Sequence, residues 1–155
     1  MRKTKASYYL DIAEAVLSRS TCLRRKYGAV IVRYDEIIST GYNGSPRGIP
    51  NCCDIGHCYR EENHIPHGER AELCCAVHAE ANAIISAARR DMIGATLYLA
   101  GREADGRPVV DAAPCAMCYR LILNAGISTI VTRNIDGMIT RKACHPYEVY
   151  NLEQV

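Results

Sequence analysis

The chain has 155 residues, 48% of them apolar, and its 19 basic and 17 acidic side chains leave a formal charge of +2. That length and apolar content suit one domain with a core that needs no external staple. So small a charge excludes nucleic-acid binding driven by electrostatics alone, and no apolar stretch approaches the ~20 residues that cross a bilayer.

The basic start, Met1 to Ala6, lacks the apolar run of a secretory signal, so the chain reads as a cytoplasmic domain over 1–155. From Ser7 to Ser18, Tyr8, Ile12, Ala15 and Val16 recur at helical spacing and predict an opening amphipathic helix. Tyr27 to Val32 and Glu36 to Thr40 are strand candidates, with Arg33, Tyr34 and Asp35 between them as a hairpin turn. Gly41 to Gly48 is dense in turn residues and predicts a loop. Asn51 to Cys75 shows no sustained periodicity, only Cys, His and charge, and a loop that long needs a function or something to hold it.

His78 to Arg90 predicts a helix with Ala81, Ile84, Ile85 and Ala88 on one face and Arg89-Arg90 near its C-terminus, where the helix dipole favours cations. Ala95 to Ala100 is a strand, and Arg102 to Val110 a polar excursion. Ala116 to Ala125 is a second amphipathic helix closed by Gly126, and Ile127 to Thr132 another strand. Beyond Asn134 the pattern fades, leaving 134–155 as a tail around a core of about 5–133. Strands alternating with helices after a hairpin imply an α/β fold with crossover connections.

Nine cysteines is a high and odd number, which forbids complete pairing. Without an export signal, thiolates of a reduced compartment serve metals more readily than disulfides. Two fragments then carry the chemistry: His78-Ala79-Glu80 and Pro114-Cys115-Ala116-Met117-Cys118. Cys-x-x-Cys opening a helix aims two sulfurs at one point, and the free N–H groups there stabilise both thiolates. With the ring of His78, opening its own helix, they supply three zinc ligands and leave a fourth position open, as a catalytic site requires. His-x-Glu followed by Pro-Cys-x-x-Cys is the known signature of zinc nucleobase deaminases. Zinc would bring the pKa of a bound water toward about 7, and Glu80 would pass its proton to a ring nitrogen and in a later, separate transfer protonate the leaving amine.

Arg19 to Val32, Gly41-Tyr-Asn-Gly44 and Cys75 to Ile84 resemble the deoxycytidylate (dCMP) deaminases, a branch of the cytidine deaminase superfamily. The resemblance implies a three-layer α/β/α fold with a central five-stranded mixed sheet, and a homo-oligomer, often a hexamer. It also implies a nucleotide substrate, activation by dCTP and inhibition by dTTP. Asn43 should then contact substrate sugar or base, and the Ala79 N–H the pyrimidine carbonyl; a plain turn needing two glycines is the simpler reading of that loop. Arg19, Arg24, Arg25 and Lys26 could meet a 5′-phosphate or form a solvated face.

Some dCMP deaminases carry a second, structural zinc in the same region. The candidate ligands here are Cys22, Cys52, Cys58 and Cys74, with Cys53, Cys75 or a histidine as substitutes. The alternative is that several are small buried residues. Rival functions are a tRNA adenosine deaminase, a free cytidine or guanine deaminase, and a non-catalytic zinc-stabilised module. An RNA enzyme should be more basic, and a structural module has no use for Glu80.

Overall fold

The structure, a computed structural model, describes residues 1–144. Helix α1 (Lys5–Leu17) precedes a hairpin of β1 (Arg25–Arg33) and β2 (Glu36–Tyr42). The irregular segment holds two single-turn helices, α2 (Cys52–Ile55) and α3 (Tyr59–Glu62), and a 3-10 turn (Ala71–Leu73). Next come α4 (Ala79–Ile85), α5 (Arg89–Met92) and β3 (Thr96–Glu103). α6 (Ala116–Ala125), β4 (Thr129–Arg133) and β5 (Ile139–Ala143) follow.

The five strands form one mixed sheet in the order β2-β1-β3-β4-β5, with β3 and β4 parallel and the other neighbours antiparallel. The parallel pair is the one joined by a helix, since parallel neighbours need a crossover connection. Side chains alternate between the two faces. Val30 and Val32 of β1, Tyr98 and Ala100 of β3 and Val131 of β4 meet Tyr9, Leu10 and Ala13 of α1. Their sequence neighbours Ala29, Ile31, Leu97, Leu99 and Ile130 face the other way, against α4 and α6. The three central strands are thus covered twice, which explains their unbroken apolar runs. The three-layer α/β/α arrangement expected from the resemblance is present.

Several local expectations change. The run His78 to Arg90 is two helices. Ser86 Oγ donates to the Asn82 carbonyl at 2.8 Å, and the chain leaves helical geometry at Ala88 before α5 begins. A hydroxyl that bonds its own preceding turn competes with the backbone ladder. Arg89 does serve a helix C-terminus, but that of α6, where its Nε donates to the Asn124 carbonyl at 2.8 Å. The fading pattern after Asn134 hid the edge strand β5, which returns on β4 through the Asp136-Gly137 turn, Gly137 at φ 83°. The rest of the tail, 145–155 with His145, lies outside the described residues.

Candidate active site

His78 and Cys115 are the N-caps of α4 and α6, so both helices present their first turns to one point. His78 Nδ1 lies 3.5 Å from Cys115 Sγ and 3.4 Å from Cys118 Sγ. Zn–S bonds of about 2.3 Å and Zn–N bonds of about 2.0 Å at tetrahedral angles would separate nitrogen from sulfur by about 3.6 Å. The three ligand atoms, all within 4.8 Å of one another, therefore fit a tetrahedral zinc ion with one position left for solvent or substrate. Cys115 Sγ also accepts the Cys118 N–H at 3.4 Å, so its sulfur caps the helix it begins.

The protons are distributed unevenly. Hydrogen bonds from Cys118 and then His78 hold the Cys115 thiol down to about 3. The negative sulfur of Cys115, with burial, pushes Cys118 up, and the same sulfur raises His78. A cation at the centre would let both sulfurs stand as thiolates. Glu80 is 4% exposed, and burial is the main force raising its pKa. It stands beside the cluster, close enough to interact with His78 and the Cys118 thiol.

The Gly41-Tyr42-Asn43-Gly44 segment holds α4 in place. Neither glycine has a positive φ; both are glycine because something sits where a side chain would be. A Cβ on Gly41 would fall 2.3 Å from the Ala79 carbonyl oxygen, and one on Gly44 2.4 Å from Thr21 Oγ1. Gly44 also exchanges two backbone hydrogen bonds with Val77, the residue before His78. Asn82 Nδ2 donates to the Tyr42 carbonyl at 2.8 Å. The simpler turn reading of the glycines thus gives way to close approach.

Asn43 is held by hydrogen bonds to β1 and to the segment before it. Its Oδ1 accepts from Tyr27 N–H at 2.8 Å and Ser20 Oγ at 2.6 Å, and its Nδ2 donates to the Arg25 carbonyl at 2.9 Å. At 7% exposure its amide ties this loop to the start of β1. Ala79, fully buried, is the first residue of α4, where helical N–H groups have no intrahelical acceptor.

Comparison with known proteins decides the family. Residues 3–134 match the family described as the cytidine and deoxycytidylate deaminase zinc-binding region. The chain belongs to that family. A deoxycytidylate deaminase of Mycobacterium phage D29 is 40% identical over 128 residues, which cover 80% of this chain and 90% of that protein. The deoxycytidylate deaminase of Schizosaccharomyces pombe is 36% identical across 88% of this chain, which spans only 39% of the yeast protein. Among solved structures, the dCMP deaminase of cyanophage S-TIM5 in complex with dCMP and dUMP aligns at a TM-score of 0.60 and 26% identity, covering 88% of this chain and 89% of that one.

The second cysteine group of this deaminase is looser than its catalytic cluster. Among the described residues, only His78, Cys115 and Cys118 gather as a compact metal-binding group. Cys22, Cys52, Cys58 and Cys74 do not. Cys75, not Cys74, approaches Cys52, with sulfurs 3.8 Å apart, while Cys58 and Cys22 lie close enough to raise the Cys52 pKa. Adjacent residues in extended chain point opposite ways, and a sequence alone does not say which one faces the loop. Tyr27 was legible only as a strand residue. Burial is the main force raising its phenol pKa, with Arg25 lowering it and Glu80 adding to the rise. The signal was Gly101, whose missing side chain makes room for the Tyr27 ring across the β1–β3 pair.

Proposed function

We propose that this deaminase hydrolyses dCMP to dUMP, consuming water and releasing ammonia. The observation that carries the proposal is a buried carboxyl, Glu80, beside three ligand atoms spaced for zinc. The substrate follows the relatives named above, one of them solved with dCMP and dUMP.

His78 Nδ1, Cys115 Sγ and Cys118 Sγ would hold the ion. Bound zinc supplies the Lewis acidity that lets water ionise near neutral pH. Glu80 would accept one proton of the attacking water and give it to the ring nitrogen next to the amino-bearing carbon, then take the remaining proton of the added hydroxyl and pass it to the departing amine, which leaves as ammonia. Its buried setting suits the work, because a carboxyl raised toward the working pH both takes and returns a proton. The Ala79 N–H, free at the first turn of α4, meets the pyrimidine carbonyl.

A second, structural zinc would draw on Cys52 and Cys75 with Cys22 and Cys58, and its role would be to pin the irregular segment 51–75. Regulation by dCTP and dTTP rests on the family resemblance. Assembly of several copies rests on it too, and on the exposure of Ile85, Met117 and Leu121 on α4 and α6. The free thiols suit a reduced cytoplasmic setting. No helix among the described residues is long and apolar enough to cross a membrane.

The test is ammonia release from a panel of dCMP, deoxycytidine, cytidine, guanine and an adenosine-containing tRNA. Turnover of dCMP with at least about tenfold higher kcat/KM than deoxycytidine, or roughly 1.4 kcal/mol of transition-state binding, is expected. Equal efficiency on the two, or inosine formed in tRNA, overturns the substrate while leaving the deaminase chemistry.

A further inference from the structure

Helix α4 follows His78 directly and carries Glu80, yet it spans only seven residues. Two turns of helix are not stable by themselves, so the direction of α4 must come from what it touches. Ala79 and Ala83 face the core. On that side β2 lies so close that a Cβ on Gly41 would fall 2.3 Å from the Ala79 carbonyl oxygen and 2.4 Å from the Ala83 nitrogen. Flat contact between small residues sets a distance. It leaves the helix free to slide along its axis and to turn about it.

Two hydrogen bonds remove those freedoms. Ser39, buried on β2, donates its hydroxyl to the Ala83 carbonyl at 2.7 Å. In a continued helix that carbonyl would accept the Ala87 N–H, which bonds the Ile84 carbonyl instead at 3.2 Å. Ser39 therefore satisfies a carbonyl that the break at Ser86 leaves open, and it fixes the height of α4 on the strand. The second bond comes from Asn82, half-buried, whose Nδ2 donates to the Tyr42 carbonyl at 2.8 Å.

Asparagine is a poor helix former, because its amide competes with the backbone for partners. In a helix this short, Asn82 weakens the element it stands in, and its placement needs another reason. Successive helical residues turn by about 100°, so Asn82 and Glu80, two apart, lie on nearly opposite sides of α4. A tie at Asn82 thus sets which way Glu80 points.

The far end of that tie is itself anchored. Tyr42 adjoins Asn43, whose amide is bonded to β1. Gly44 exchanges backbone bonds of 2.8 and 3.1 Å with Val77. Residues 42–44 therefore grip the chain just before His78, at Val77, and again one turn after it, at Asn82. The Asn82 N–H closes the loop by donating to the His78 carbonyl at 3.0 Å.

We propose that Asn82 and Ser39 are positioning residues of the catalytic centre, Asn82 setting the rotation of α4 and Ser39 its height, so that the Glu80 carboxyl and the His78 ring reach one point. The assignment rests on the deaminase reading and adds two residues that neither ligate the metal nor carry the proton. Side-chain tips stand about 5–6 Å from a helix axis, so a turn of roughly 10° moves the Glu80 carboxyl by about 1 Å. A misplacement of that size costs about 10² in rate.

The experiment measures kcat and KM on dCMP for the zinc-loaded wild type, Asn82→Ala and Ser39→Ala. The same three proteins are loaded with cobalt(II), whose visible bands follow ligand geometry. Alanine is the best helix former, so Asn82→Ala should keep α4 helical and decides alone should Ser39→Ala fail to fold. In each folded variant kcat should fall about tenfold to a hundredfold with KM held within about twofold, and the cobalt bands should move. A lowered melting temperature with unchanged kcat and cobalt bands would make both residues merely structural and overturn the proposal. A raised KM with unchanged kcat would overturn it too, by placing Asn82 against the substrate. Failure of the wild type to deaminate dCMP would remove the reading beneath, while the cobalt bands, which need no turnover, still decide whether Asn82 and Ser39 set the site.

Discussion

Glu80 and Cys115 each hold two properties that a single substitution can separate. Glu80→Gln keeps the shape of the side chain and removes its ability to take a proton. If His78, Cys115 and Cys118 hold the metal as proposed, the variant should retain its zinc. Deamination should fall by about 10² to 10⁴, the range for loss of general acid–base function. Metal analysis beside an ammonia assay checks both halves, and a zinc-free variant would make Glu80 a ligand. Cys115→Ser divides differently. Serine is a good helix cap, so it can replace Cys115 Sγ as acceptor of the Cys118 N–H, but it is a poor zinc ligand near neutral pH. The helical content should survive while bound zinc and activity disappear. Retention of both metal and turnover would move the catalytic centre elsewhere.

At the level of elements, helix α4, which carries Glu80, is placed by contacts from β2 and its following loop. Asn43 ties that loop to β1, so Asn43→Ala would leave the Tyr27 N–H and the Arg25 carbonyl without their side-chain partners. Each buried group so exposed costs about 1–3 kcal/mol, and the urea midpoint should fall accordingly. A variant of unchanged midpoint with only a raised KM would restore Asn43 to the substrate. These placements also mark what the sequence could tell. The caps of α6, the hairpin of β1 and β2 and the His78, Glu80, Cys115 and Cys118 constellation were legible, because each depends on spacing within a few residues. Ser86 as the break after α4 and Cys75 in place of Cys74 were not. Each of those depends on which way a side chain faces across a long stretch of chain. The turn at Asp136-Gly137 was available as a hairpin signal, and its polar, exposed partner strand β5 concealed it.

At the scale of the whole molecule, a single helix among the described residues, α1, covers one sheet face, and polar ties to distant parts of the chain hold it there. Arg133 Nη2 on β4 donates to Asp11 at 2.9 Å, Arg102 on β3 donates twice to Glu14 at 2.9 and 3.1 Å, and the Tyr9 hydroxyl donates to Asp35 at 2.7 Å. Hydrogen bonds from Lys3 and then Arg133 hold the Asp11 carboxyl below its ordinary range, and those from Lys5 and then Tyr9 do the same for Asp35. A carboxyl with a lowered folded-state pKa contributes stability that is complete above its unfolded value, about 3.9, and is lost as pH falls through the folded one. Tyr9 works in the opposite sense. Its bond to Asp35 raises it to about 12, so its contribution is complete below about 10 and is lost as pH rises toward 12. Melting temperature should therefore decline at both extremes, and the substitutions should separate the two limbs. Acid would also protonate the proposed zinc ligands His78, Cys115 and Cys118, so the wild-type profile alone does not isolate the clamp. Asp11→Asn leaves those ligands untouched, and its difference from wild type should shrink steadily below about pH 4. Tyr9→Phe should likewise approach wild type above about pH 10. A constant gap between Asp11→Asn and wild type down to pH 2 would mean that the Arg133 contact holds α1 without its charge.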